Sequence, residues 1–396
     1  MTTRVLLWSP LGAGEHYYGP GAFAHRLYSS AAPGAVALEL VHSTSAQRPS
    51  SLFSQSHRLN PSPDSALKLV TYLWRSKQWL KRNARRFDVL HGLNGFHPTV
   101  VPAFEAQRLD LPSVIFVAGH KIEFTDKSGL RQLAGLSRRR RSMVRQLSAM
   151  IAMSRAIFEE LVEIGVEPRR IARIPMGIDM SRFAPARDAQ MRLGRREQLR
   201  LSRDLPALVF VGAVTPRKRP HLIVEAMGQL RQQGVDVQLL LAGPTPDAAY
   251  RAQIETRARE TNVDAHVHWL GHVGAIEQVL QASDVFLLPS SSEGMPAALV
   301  EAMACALPAI VTRISGCEDL VIDDENGYFI APDVAEIAAV IKRYALDSGL
   351  RERHGERARA GVAAACSNET VLGAYLKVFD AVRYDRDPAA ASTLAF

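Results

Sequence analysis

Cysteine is scarce in this chain. Its 396 residues hold three, Cys305, Cys317 and Cys366, widely spaced and without a Cys-x-x-Cys pair. An odd count with no framework argues against disulfides and against a cysteine-built zinc site, and for a reducing compartment. Long apolar runs are missing as well, since none approaches the roughly 18 residues that a membrane-spanning helix requires. Residues 1–8 read as a short strand rather than a signal peptide, so a cytoplasmic location is expected. There is no internal repeat, no low-complexity tract and no nucleic-acid-binding motif.

What is present is ordinary in bulk and uneven in charge. Hydrophobic residues make up 47% and charged residues 22%, the balance of a soluble globular chain. The length exceeds what one hydrophobic core usually serves, so two domains are expected. Short apolar stretches over residues 5–8, 36–41, 89–92, 114–118 and 150–153 alternate with helical spacing, which predicts a doubly wound parallel sheet. The same alternation resumes from residue 207 to about residue 344. Residues 43–64, rich in Ser, Pro, Gln and His, read as a long mobile loop. Residues 183–206, dense in charge, read as the linker into the second domain.

The net charge of +8 is concentrated near the N-terminus. Residues 1–185 carry 25 Lys or Arg against 13 Asp or Glu, and the remainder carries 23 against 27. Between Ala66 and Arg86 stand seven basic residues and no acidic one, interleaved with Tyr72, Trp74 and Trp79. A second basic run spans Arg138 to Arg141 with Arg145. Cations among tryptophans on one helix suit an anionic membrane surface, at about 1 kcal/mol per placed cation. A solvated basic face would look the same in sequence, and no nucleic-acid motif accompanies either run.

The richest segment runs from Asp284 to Thr312. Residues 285–288 form a short apolar run that predicts a strand covered on both faces. Residues 289–294 form a polar loop, Pro296 suits the first position of a helix that runs to about Ala306, and Pro308 stops it before a strand over 309–312. A helix N-terminus at the carboxyl end of a buried strand favours an anionic ligand, through free N–H groups and the helix dipole. Glu293 and Glu301 bracket that helix start, eight positions apart. Carboxylates beside an anion site make sense when they accept hydrogen bonds from sugar or ribose hydroxyls of the same ligand. An isolated pair with this spacing also arises by chance, so the surrounding pattern has to carry the argument.

That pattern resembles the Glu-x7-Glu signature of the retaining glycosyltransferases of family 4, which have the GT-B fold. Other stretches fall in the family's order: Ile151-Ala-Met-Ser154, Ile174-Pro-Met-Gly-Ile-Asp179 and Phe183-Ala-Pro185, then Phe210-Val-Gly212 through Arg219, Leu239-Leu-Leu-Ala-Gly243 and Trp269-Leu-Gly-His272-Val273. The resemblance covers residues 150–330 well and the first 150 weakly. It implies an α/β chain of two Rossmann-like domains facing across a cleft. Residues 1–188 would be the acceptor-side domain, with helix 370–396 packing back on it, and residues 189–369 the donor domain.

The resemblance also implies roles. Glu293 would hold hydroxyls of the transferred sugar, and Glu301 would grip the ribose. N–H groups around Gly294, Met295, Pro296 and Ala297, with Lys218, would stabilise the leaving diphosphate. His120, at the end of a first-domain strand, resembles the histidine that helps hold the donor sugar. Family members often carry an Arg five positions before the Lys. Ala213 stands there in this chain, so Arg217 or Arg219 has to substitute, or phosphate binding is weaker. Residues 271–273, including His272 and Val273, would meet the base through backbone groups. No metal and no tightly bound cofactor are implied, only a nucleoside-diphosphate sugar, UDP- or GDP-linked, as donor and a glycan or lipid-linked acceptor. Asp323-Asp-Glu325, before Asn326-Gly327, reads as a solvated turn rather than a metal site.

The stretch from Gly19 through Gly21 to Ala24 matches the dinucleotide pattern Gly-x-Gly-x-x-Ala, with Glu39 about where a ribose-binding acid would stand. It begins some ten residues after its strand, whereas the dinucleotide turn is tight. The loop resembles more closely the N-terminal glycine-rich loop of glycosyltransferases. Two other classes remain open at this stage: a nucleotide-sugar epimerase, and a non-catalytic nucleotide-sugar-binding partner.

Overall fold

The computed structural model describes residues 2–14, 19–47, 50–117, 119 and 136–394. The chain divides into two compact units, one of Met1–Gly177 with Asn368–Phe396 and one of Ile178–Ser367.

The first unit is built on a seven-stranded parallel sheet ordered β3-β2-β1-β4-β5-β6-β7. Its strands are β1 (Thr3–Trp8), β2 (Val36–His42), β3 (Gln55–Arg58), β4 (Val89–Leu93), β5 (Ser113–Val117), β6 (Ala149–Ala152) and β7 (Ile171–Arg173). Interleaved with them are α1 (Pro20–Ser29), α2 (Ala66–Asn83), α3 (His97–Gln107), α4 (Leu136–Val144) and α5 (Arg155–Glu163). Val5 to Trp8 of β1 are wholly buried, as a parallel sheet covered on both faces demands.

One expectation needs correction here, and another needs detail. The loop over 43–64 contains β3, which the polar composition hid: it pairs with β2 at the sheet edge, where one flank needs no apolar cover. His57 of β3 meets Glu39 of β2 at 2.7 Å, and Arg86 meets the same carboxylate at 2.5 Å, so Glu39 is spent on an ion cluster. The basic helix is also less uniform than its sequence. Tyr72 and Trp79 turn inward, Tyr72 to accept a hydrogen bond from Trp8 Nε1 at 3.0 Å and Trp79 to pack against Trp8, His57 and Phe87. Lys68 and Lys77 pair with Asp64 and Glu105 at 3.0 and 3.1 Å. Arg140, in the second basic run, is buried and bonds His97 Nδ1 at 3.1 Å.

The second unit repeats the plan with six parallel strands ordered β10-β9-β8-β11-β12-β13. These are β8 (Ala207–Val211), β9 (Gln238–Ala242), β10 (Val267–Gly271), β11 (Val285–Leu288), β12 (Ala309–Thr312) and β13 (Gly327–Ile330). The helices are α6 (Ala189–Gln198), α7 (Pro220–Gln232), α8 (Ala248–Glu260), α9 (Ile276–Ala282), α10 (Ala297–Ala304), α11 (Val334–Leu346) and α12 (Ser348–Cys366). The segment read as a linker therefore holds α6. Its charges have partners: Asp188 caps the helix by accepting from Met191 N at 2.7 Å, and Arg192 and Arg196 bind Asp284.

Helix α10 is shorter than the sequence predicts at both ends. Pro296 is the cap residue, extended at φ −73° and ψ 108°, and the first helical residue is Ala297. At the other end Ala306 turns left-handed at φ 60°, and the N–H groups of Ala306 and Leu307 return to the carbonyls of Met303 and Ala302. That reversal closes the helix with an alanine where glycine is usual. The last long helix, α13 (Asn368–Arg383), belongs to the first unit and sets Tyr375 6.1 Å from Phe23 and 5.3 Å from His91.

Candidate functional site

In the second unit the strand order reverses between β8 and β11, and the loops after these two strands leave the sheet side by side. A crevice at such a switch point is where open α/β sheets bind ligands. The two loops are tied together, with Ser291 N and Oγ both donating to the Arg217 carbonyl at 2.8 and 3.1 Å. Thr215 closes the first loop by accepting the N–H groups of Lys218 and Arg219 at 3.0 and 3.2 Å. That turn sends Lys218 back over the strand ends. Gly212 makes the path possible: its φ is +141°, and a Cβ there would lie 3.0 Å from Lys218 Nζ. Gly243, at φ +149° after β9, is equally constrained, because a Cβ would run into the Gly212 carbonyl. Gly243 in turn donates its N–H to the Gly271 carbonyl at 2.7 Å, and His272 and Val273 follow β10 directly.

Opposite Lys218 stands Glu293. Its Oε1 takes three donors: Lys218 Nζ at 2.9 Å, Arg217 Nη1 at 3.0 Å and Ser290 Oγ at 2.9 Å. Oε2 has no partner among the described residues. The Lys218 and Glu293 side chains are each 12% exposed, while that of Arg217 is 47% exposed. The loop beneath is fixed from below: the Ser290 carbonyl accepts from Thr312 Oγ1 at 2.5 Å, and the Gly294 carbonyl accepts from Ser315 Oγ at 3.1 Å. Cys317 is buried next to it, and its thiol is pushed up first by burial and then by the Glu293 carboxylate, with Lys218 opposing.

Met295 is buried, and Pro296 accepts the N–H groups of Leu299 and Val300 at 3.0 and 3.4 Å. The N–H groups of Ala297 and Ala298 have no acceptor among the described residues, the usual condition of a helix start. Glu301, half-buried, is the fifth residue of α10, and its charge adds to the burial that lifts the Cys305 thiol to about 12.

The structure thus brings together Gly212, Arg217, Lys218, Gly243 and Glu293. Arg219, left-handed at φ 52° as the cap of α7, makes no ion pair among the described residues. Gly19 and Gly21 stand in the first unit, at the cap and in the first turn of α1. His120 lies outside the described residues. Sequence reasoning placed Lys218 and Glu293 on different parts of a ligand and missed their direct pairing. It also missed Ser290, Thr312 and Ser315, whose only signal was a run of hydroxyl residues around the loop. Asp323 accepts from Phe329 N at 2.8 Å as part of a turn. No group of three or more His, Cys, Asp or Glu side chains suited to a metal occurs among the described residues.

A doubly wound sheet with two cations, one carboxylate and a helix start at its switch point has the features of an anion-binding crevice. Family comparisons make this specific. Residues 194–361 match the model described as glycosyl transferases group 1, and residues 11–177 match that of the glycosyl transferase 4-like domain. The chain belongs to the group 1 glycosyltransferases and has the GT-B fold. It is 32% identical over 220 residues to a D-inositol 3-phosphate glycosyltransferase of Xylanimonas cellulosilytica, covering 54% of this chain and 52% of the relative. It is 33% identical over 175 residues to the UDP-Gal:alpha-D-GlcNAc-diphosphoundecaprenol alpha-1,3-galactosyltransferase of Escherichia coli, covering 42% and 43%. The chain therefore spans about half the length of the curated relatives it matches. Among solved structures, Anabaena HepE in complex with UDP and glucose superposes with a TM-score of 0.72 at 16% identity, over 95% of this chain and 99% of that one.

Proposed function

We propose that the chain moves a sugar from a nucleoside-diphosphate donor to an acceptor hydroxyl with retention at the anomeric carbon. The second unit binds the donor and the first the acceptor. The observation that carries this reading is the pairing of Lys218 and Arg217 with Glu293 at the switch point, beside the start of α10. Fixed cations there stabilise the charge that grows on a departing diphosphate, a point charge from Lys218 and a planar fork from Arg217. Glu293 Oε2 is open to sugar hydroxyls, and Glu301 is assigned to the ribose. Arg217 takes over the role of a cation at Ala213. UDP is the favoured nucleotide, since it is the one bound in HepE and named in the galactosyltransferase relative.

A lipid-linked or glycan acceptor is met at an anionic membrane surface from the cytoplasmic side. Support comes from α2, where Leu67, Val70 and Trp74 are 78%, 64% and 62% exposed and spaced to share one face. No helix among the described residues is long and apolar enough to cross a membrane. Flotation with phosphatidylglycerol vesicles checks this, and binding that is absent at low salt overturns it.

Thermal-shift screening against a panel of nucleotide sugars tests the central reading. A UDP-sugar is expected to raise the melting temperature, because only a ligand bound well above its Kd does so appreciably. Incubation of that donor alone must then leave it unisomerised, which separates a transferase from an epimerase. A panel with no stabilising member overturns the assignment.

A further inference from the structure

Lys218 and Arg217 are not an open row of cations, because the carboxylate assigned to the sugar already pairs with them. We propose that Glu293 is the built-in counter-ion of the phosphate-binding cations, displaced from them by the donor's diphosphate. Diphosphate binding and release of the Glu293 carboxylate toward the sugar are then one exchange. This rests on the donor site proposed above.

Three features support an exchange over a permanent ion pair. Lys218 and Arg217 converge on a single oxygen, Oε1, at 2.9 and 3.0 Å, so one carboxylate is shared by two cations and one positive charge remains to draw an anion. The loops do not depend on the pair to stay together. The Ser291 N–H and Oγ bonds to the Arg217 carbonyl and the Arg217 side-chain bond to the Ser292 carbonyl join them without it. The partners also differ in their surroundings. The Lys218 side chain lies against Gly212 at the end of β8, whereas Glu293 stands on a loop held at Ser290 and Gly294, so its carboxylate leaves the cations by turning its side chain while the loop stays in place. Ser290, whose Oγ meets Oε1 at 2.9 Å, then remains as a neutral donor that sets how far the carboxylate swings.

The consequence is an unusual sign. A residue that only binds donor, or only supports the fold, loses ligand affinity when neutralised. Glu293→Gln is instead expected to bind inorganic pyrophosphate roughly 10-fold more tightly by isothermal titration calorimetry, since the cations lose a charged competitor. Its turnover with the cognate donor is expected to fall by about 100-fold, because the sugar loses its charged acceptor. In a Lys218→Met background the gain in pyrophosphate affinity should disappear. Glu293→Asp, whose shorter arm reaches the cations less well, provides a second variant with the same direction of change should Glu293→Gln fail to fold. Unchanged or weaker pyrophosphate binding in a folded Glu293 variant, beside a wild type that does bind, overturns the exchange and leaves the donor site standing. No pyrophosphate or UDP binding by either protein overturns both.

Discussion

Each unit has a switch point in its sheet, and each places a polar cluster near it, yet the two clusters are opposites. In the first unit His91 of β4 bonds Tyr28 at 2.7 Å through Nδ1, and its ring lies 5.3 Å from Tyr375. All three are wholly buried. Burial drops the His91 imidazole to about 3 and pushes both phenols well above their usual range, so the cluster is uncharged at neutral pH. In the second unit Lys218, Arg217 and Glu293 meet instead as an ion cluster, with the Arg217 side chain 47% exposed. Deep burial of an unpaired group removes its charge, whereas partial burial with a partner keeps it. The same topology thus serves packing in one unit and electrostatics in the other.

The sharpest way to break this contrast is to neutralise the charged cluster. Lys218→Ala should lower kcat by roughly 100- to 1,000-fold with the melting temperature nearly unchanged; a large loss of stability with normal turnover would make the cluster structural after all. Next in size, Glu301→Ala should weaken UDP binding by about 10- to 150-fold, the cost of a lost hydrogen bond to a charged group. Calorimetry showing equal affinity removes Glu301 from the site. The uncharged cluster should respond to pH instead. His91 has a folded pKa of about 3, below its unfolded value, so the unfolded state binds the extra proton between the two. Its contribution is fully present above about pH 6.5 and is lost as pH falls, by about tenfold in the folding equilibrium per pH unit. Denaturant titrations of His91→Leu should show that much less pH dependence over this window, and an identical slope would mean that His91 is charged in the fold. The smallest effect belongs to Trp74→Ala, which touches neither cluster. It should change stability by less than about 0.5 kcal/mol while reducing vesicle flotation.

Much of the architecture was legible because buried parallel strands must be continuously apolar. Val5 to Trp8, Val285 to Leu288 and Ala309 to Thr312 could be read directly. What stayed hidden was polar structure whose partners are remote in sequence. Edge strand β3 looked like a loop because its pairing with β2 is a backbone matter. Helix α6 looked like a linker because its arginines find Asp284 more than eighty residues away. The inward turn of Tyr72 and Trp79 on α2 could not be told from the outward turn of Trp74, since all three were read as aromatic neighbours of cations.

At the site, residue type and order were enough to nominate Glu293, Glu301, Lys218 and the helix start between them, since a backbone anion pocket needs only local sequence to form. Which groups touch was another matter. The sequence spaces Arg217 and Glu293 by 76 positions, and only the reversal of strand order between β8 and β11 makes them neighbours. Local chemistry is written along the chain, but the attraction between charges depends on distance in space, and that distance is set by the way the sheet is wound.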